Sequence, residues 1–155
     1  MLEIRVAQTF DCEQISQLIQ LLAPTFFACS DGFGAESFIA EIQTEAISRL
    51  ISRTDIEYYV SENNNILCGV VAIRDKTHLY HLFVKPEFQG HQMGRKLWVF
   101  AKEKILENTN NNLAITVNSS LNAIPVYEKF GFKKIGNVVE KNGLAFQSMV
   151  FLVEH

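Results

Sequence analysis

The sequence predicts an α/β (α+β) fold on a mixed sheet, and three observations carry that expectation. An apolar, strand-like run (Leu79, Tyr80, Leu82, Phe83, Val84) stops at Pro86, crosses Gln89-Gly90-His91-Gln92-Met93-Gly94-Arg95 and opens into a helical pattern. In that pattern Met93, Leu97, Phe100, Ala101 and Ile105 recur on one face. Short β-prone runs on either side of Asn63-Asn64-Asn65, and again around Lys141-Asn142-Gly143, read as hairpins, because Asn and Gly tolerate the left-handed turn backbone.

In chain order, Ile4 to Ala7 alternates as a first strand, and Thr9 and Asp11 offer capping oxygens to a helix carrying Ile15, Leu18, Ile19 and Leu22. Pro24 ends that helix. A Phe-, Ser- and Gly-rich stretch from Thr25 to Gly34 leads to a second helix from Ala35 to Ser52, with Ile39, Ile42, Ala46 and Leu50 on one side. Tyr58 to Glu62 and Ile66 to Arg74 form a hairpin. Thr77 to Val84 follows across the Asp75-Lys76 turn, placing three antiparallel strands before the glycine loop. After the long helix come a buried strand (Leu113 to Val117), a short helix (Ala123 to Lys129) and a hairpin of Lys133 to Val139 with Phe146 to Val153. The order is β-α-α-β-β-β-α-β-α-β-β.

A chain of 155 residues is expected to form one domain over residues 1–155, large enough to bury about two thirds of its unfolded surface. Hydrophobic residues make up 48% and charged residues 20%, which excludes a disordered chain, and twelve Phe imply a filled core. The net charge is −3 with Lys and Arg scattered, so no nucleic-acid partner is expected. No apolar run approaches the roughly 18 residues of a membrane span, and the N-terminus lacks a signal-peptide pattern. A cytoplasmic protein without a membrane partner is the expectation. Cys12, Cys29 and Cys68 lack paired spacing and read as free thiols, and the four histidines lack ligand spacing, so no metal is expected.

Strand, glycine loop and helix start, in that order, are how a chain builds an anion site, although a loop with two glycines read alone fits an ordinary strand-to-helix turn equally well. The first-turn N–H groups have no partner inside the helix, and the macrodipole adds roughly +0.5 charge there. Farther along runs Asn118-Ser119-Ser120-Leu121-Asn122-Ala123-Ile124-Pro125-Val126-Tyr127-Glu128-Lys129-Phe130-Gly131-Phe132. The two segments together resemble the GNAT superfamily, the GCN5-related N-acetyltransferases. In that family the loop reads Gln or Arg, two residues, Gly, one residue, Gly or Ala, and the later segment reads Ala, three residues, Tyr, then Gly-Phe. Gln89 and Gly94 match the ends of the first motif; Ala123, Tyr127, Gly131 and Phe132 match the second. Gln92 stands where the family usually has its middle glycine. A positive φ there would cost about 1 kcal/mol or more, a right-handed helical residue almost nothing, and the right-handed backbone is the expectation.

The resemblance implies a GNAT fold: a mixed, mostly antiparallel sheet of about six or seven strands flanked by about four helices, with a splayed parallel strand pair that binds the cofactor. It implies an acetyl-CoA-dependent N-acetyltransferase, monomeric or homodimeric, acting on an amine of a small molecule or of a protein or peptide. By the same resemblance, the pyrophosphate lies on Gln89, Gly90, His91, Gln92, Met93, Gly94 and Arg95. Phe83 and Val84 offer main-chain groups to the pantetheine arm, and an N–H near Val84 polarises the thioester carbonyl. Asn118 and Asn122 either contact the arm or serve as caps and turn residues of the short helix, with capping and turn structure favoured. Phe26, Phe27 and Phe33 either line the acceptor site or pack in core and loop. The alternative is a non-catalytic acyl-CoA-binding sensor or interaction module, which Gln92 favours.

Two residues are singled out for chemistry. A lysine-like amine, with a pKa near 10.4, must lose a proton before attack. Alternation puts His78, Tyr80, Leu82 and Val84 on one strand face and His81 on the other. His78 matches a strand histidine that serves as base in arylalkylamine members of the family; its other reading is a surface or structural residue. Tyr127 matches the tyrosine the family places beside the sulfur, to donate a hydrogen bond or proton to the departing thiolate.

Overall fold

The computed structural model describes residues 2–90, 92–108 and 113–153. Strand β1 (Leu2–Val6) leads to helix α1 (Cys12–Leu22) through Asp11, whose carboxylate accepts the Gln8 amide at 2.7 Å. Where the periodicity predicts one helix to Ser52, two form: α2 (Glu36–Glu41) and α3 (Thr44–Ile51). The break has a tertiary cause. Buried Ser16 donates its hydroxyl to the Ile42 carbonyl at 2.6 Å, and Gln43 turns extended (φ −70°, ψ 157°), so a hydrogen bond to α1 overrides helix propensity.

Strands β2 (Ile56–Asn63), β3 (Ile66–Arg74) and β4 (His78–Val84) form the antiparallel meander expected, joined through Asn64-Asn65 and Asp75-Lys76, all at positive φ. Helix α4 (Met93–Glu107), strand β5 (Ala114–Ser119) and helix α5 (Ile124–Phe130) follow. The chain closes with β6 (Lys133–Lys134), β7 (Val139–Lys141) and β8 (Leu144–Leu152). The predicted strand from Lys133 to Val139 is split because Gly136 turns left-handed (φ 66°) and buried Gln147 takes over its ladder. Gln147 Nε2 donates to the carbonyls of Ile135, Gly136 and Ser148 at 3.1, 3.2 and 3.0 Å. These two breaks account for eight strands and five α-helices among the described residues.

The sheet runs β1-β2-β3-β4-β5-β8-β6, with β7 on β8, and every pairing is antiparallel except β4 with β5. One core cluster packs α1 and α3 on one face through Ile15, Leu18, Ile19, Ile42, Ile47 and Leu50. The other packs α4 and α5 on the opposite face, with Trp98 among Phe130, Phe132 and Phe151. Burying each large aliphatic side chain contributes about 1.5–3 kcal/mol.

The β7–β8 turn is clamped by its surroundings. Gly143 (φ 76°) accepts the Ala28 amide at 2.8 Å, and a Cβ added to it would run into the backbone of Gly34 and Ala35. Gly136 has the same hand of φ but open space around it. Gly136→Ala is therefore expected to lose about 1 kcal/mol from backbone strain alone, and Gly143→Ala about 3 kcal/mol or more. Urea unfolding of the two variants measures the difference; equal losses would show that the turn does not bear on the 34–35 segment.

Candidate active site

The site begins with an irregularity in β4. Ala72 of β3 faces His81, yet Ile73 faces Leu79, so β4 carries one extra residue, Tyr80, in a β-bulge. Strict alternation fails there. His78, Tyr80, His81 and Phe83 line one cavity, whereas Leu79, Leu82 and Val84 turn to the core under α4. The expectation that His81 lies opposite His78 and that Leu82 and Val84 share the His78 face is corrected by this single insertion.

The cavity has a volume of about 530 Å³. Phe26, Phe38, Phe83, Leu144 and Phe146 supply its apolar wall; Glu41, Arg49, Arg53 and Arg74 supply its charges; Asn118 closes it from β5. Of the three loop phenylalanines considered, only Phe26 lines it. Phe27 packs on the core and Phe33 is 74% exposed.

His78 is half-buried, and its Nδ1 shares a 2.7 Å hydrogen bond with Thr116 Oγ1 of β5. Burial, reinforced by the Arg74 guanidinium, pushes its pKa down to about 4. His81 is buried, stacks on Tyr80 at 4.5 Å and shares a 2.9 Å hydrogen bond between its Nδ1 and the Tyr58 hydroxyl; burial pushes it to about 3. Both imidazoles are neutral at pH 7. Arg74 covers the other side of the bulge, its guanidinium 5.0 Å above the Tyr80 ring.

Beside the cavity the sheet opens. Strands β4 and β5 pair in parallel only at His78 with Thr116 and Leu79 with Val117, although β4 continues to Val84 and β5 to Ser119. Below the opening, Gln89 Nε2 donates to the Val84 carbonyl at 3.0 Å and ties the glycine loop to the strand end. Gly90 holds φ 83°. Lys96 N–H to Gln92 C=O (3.0 Å) is the first bond of α4, so Met93, Gly94 and Arg95 supply the first-turn amides that a helix does not pair internally. A Cβ on Gly94 would sit 3.9 Å from Val84 Cγ2. His91 lies outside the described residues. Gln92 departs from expectation: it is left-handed (φ 61°, ψ 18°), occupying with a side chain the conformation that favours glycine.

Tyr127 lies on the α4 side of the sheet. It is buried, edge-on to Phe130 (5.9 Å) and Phe132 (5.5 Å), and burial raises its pKa. Gly131 (φ 105°) ends α5 behind it. Tyr127 is not among the residues lining the cavity of His78, and the two lie toward opposite faces of the sheet. Neither asparagine caps α5: its cap positions are Ser120 for the preceding turn and Ala123 for the helix, without side-chain bonds. Asn118 Oδ1 instead accepts the Ser148 hydroxyl at 2.9 Å, and Asn122 sits within the turn Leu121–Ala123.

A family model described as an acetyltransferase (GNAT) domain matches residues 8–153. The chain belongs to the GNAT acetyltransferase family. Its fold is that of solved GNAT structures at low identity. A GCN5-related N-acetyltransferase from Rhodopseudomonas palustris aligns with a TM-score of 0.78 at 18% identity, over 97% of this chain and 95% of the other. The PaiA N-acetyltransferase from Thermoplasma acidophilum, in complex with coenzyme A, aligns at 0.74 and 18%, over 96% and 98%. An aminoglycoside 6′-N-acetyltransferase complexed with coenzyme A aligns at 0.72 and 13%, over 97% and 96%. No curated protein sequence matches significantly. Among the described residues of this GNAT chain there is no metal-ligand cluster and no helix long and apolar enough to cross a membrane.

The cavity residues Glu41, Arg49, Arg53 and Arg74 escape sequence reasoning, since nothing in their local pattern sets them apart from solvated helix and strand ends. Tyr80 and His81 lie in the strand already singled out, but a bulge has no short signature.

The exposed Gln92 side chain has no packing to lose, so Gln92→Gly is expected to relieve strain and stabilise the protein by about 1 kcal/mol, a Tm rise of about 3 °C. A lowered Tm would contradict the strain. The histidines give a second test. From pH 6.5 down to about 4 for His78 and about 3 for His81, the unfolded chain takes up protons that the native imidazoles exclude, so stability falls as pH falls through that window. NMR titration should find both imidazoles neutral at pH 5.5; a midpoint near 6.5 for either would remove its burial argument.

Proposed function

We propose that this GNAT protein transfers an acetyl group from acetyl-CoA to an amine, with a small molecule as the preferred acceptor class and a protein or peptide amine as the broader one. The observation that carries this reading is the parting of β4 and β5 beyond Leu79 and Val117, between a glycine loop at a helix start and a cavity lined by His78. The coenzyme A bound to related folds and the small amines named for others, spermidine and aminoglycosides, support it.

Acetyl-CoA supplies the activated acetyl group as a thioester, on an arm that carries a pyrophosphate. The amides of Met93, Gly94 and Arg95, with Gln89, Gly90 and Gln92, would cradle that anion, and Gly94 places no side chain beside Val84. In this reading main-chain groups of Phe83 and Val84 would serve the arm from β4, and Asn118 and Asn122 would contact it from the end of β5 and the turn after it. His78, neutral and held by Thr116, accepts the amine proton. With a pKa of about 4 it holds that proton weakly and passes it to water. Tyr127, its pKa raised by burial, stays protonated and donates to the departing sulfur.

Acetyl-CoA at a hundredfold excess over its Kd is expected to add about 2.7 kcal/mol of stability, a Tm rise of some 5–10 °C. Thermal shift reads this directly, and no rise at millimolar acetyl-CoA would sink the cofactor assignment. In a thiol-release assay over amines, polyamines, aminoglycosides and peptides, Tyr127→Phe is expected to lower turnover by roughly 10–10³-fold with cofactor affinity nearly unchanged. Parental activity in that variant would remove Tyr127 from the mechanism. Since His78 is already neutral, the parental rate should show no inflection near pH 6.5, while His78→Ala loses most rate near neutral pH, where His78 would otherwise take the amine proton, and partly recovers above it. A His78→Ala profile that only scales down would make His78 structural. Acetyl-CoA binding with no thiol release for any amine would favour the binding-module reading.

A further inference from the structure

The charges of the cavity are lopsided. Three guanidinium groups line it, Arg49 and Arg53 from α3 and its end and Arg74 from the end of β3, against one carboxylate, Glu41. Two of the three have partners outside the lining. Arg53 is held by Asp55 through bonds of 2.9 and 2.6 Å, which neutralises it. Arg74 is 3.7 Å from Asp75, whose side chain is 71% exposed, and its guanidinium stays over the Tyr80 ring. Arg49 forms no ion pair among the described residues. Beneath this rim the wall is apolar and aromatic.

A polyamine entering here would bring its second cation against Arg49 and Arg74 with Glu41 as the one carboxylate in the lining, and like charges at short range repel. A carboxylate meets the opposite situation, because a guanidinium offers paired N–H donors that match its two oxygens. Building on the acetyl-transfer reading, we infer that the acceptor is an amine bearing a carboxylate on an aromatic or apolar body, and that Arg49 and Arg74 receive the carboxylate while His78 faces the amine.

The test is a matched series with the full chain and acetyl-CoA: L-phenylalanine against phenethylamine, 4-(aminomethyl)benzoate against benzylamine, and spermidine. At least one carboxylated member should exceed its uncarboxylated counterpart in kcat/KM by about tenfold or more, with spermidine lowest. Arg49→Glu should remove that preference chiefly through KM, and Arg49→Lys should keep much of it, which a merely structural role for Arg49 would not produce. Uncarboxylated amines or spermidine used as well as the carboxylated ones would overturn the inference, as would a preference unchanged in both Arg49→Glu and Arg74→Gln. Failure of the whole series to release thiol would count against acetyl transfer itself. The inference is then read from ligand-observed NMR: 4-(aminomethyl)benzoate binding more tightly than benzylamine, with the difference lost in Arg49→Glu, supports it, and equal binding overturns it.

Discussion

The site depends on one extra residue in one strand. Tyr80 is inserted in β4 without a counterpart in β3, and everything beyond it is rotated by one side-chain step. Without the bulge, His81 and Phe83 would lie under α4 and Leu82 and Val84 would face the cavity, an exchange of polar and aromatic groups for aliphatic ones. The bulge also sets the Tyr80 ring against His81, stacked at 4.5 Å, and under the Arg74 guanidinium at 5.0 Å. Its geometry is supported from beneath by the Tyr58 hydroxyl on His81, a buried polar pair that satisfies both partners.

The electrostatics of the cavity follow from the same arrangement. Burial against aromatic walls removes water from both histidines, and Arg74 adds a like charge to His78, so the cavity favours neutral imidazole over imidazolium. A neutral imidazole has a lone pair to offer at any physiological pH, but little thermodynamic hold on a proton. That matches a role in passing protons between a reacting amine and water better than one in storing them.

Much of the frame was legible because it rests on local rules. The Asn64-Asn65 and Asn142-Gly143 turns, the amphipathic α4 and the glycine loop each draw on conformational preferences of a few adjacent residues. The features that were not legible depend on partners distant in sequence. Ser16 breaks a helix at Ile42, Gln147 replaces the ladder at Gly136, and the β4 bulge is set by the register with β3. Gln92 failed differently: a glutamine carries no sign of the left-handed backbone that the loop imposes on it. The motif singled out the glycine loop and Tyr127, whereas the cavity beside His78 draws also on α2, α3, β3 and β8, whose contributions converge only in three dimensions.

The short parallel pairing of β4 with β5 also has a mechanical meaning. Strands β1 to β4 form one half-sheet with long antiparallel registers, and β5, β8, β6 and β7 form another. Only two residue pairs of backbone ladder join the halves. The join between the halves therefore rests on side chains as much as on backbone: Leu79 of β4 packs in one buried cluster with Ile115 and Val117 of β5, and the His78–Thr116 hydrogen bond ties the two strands on the cavity side.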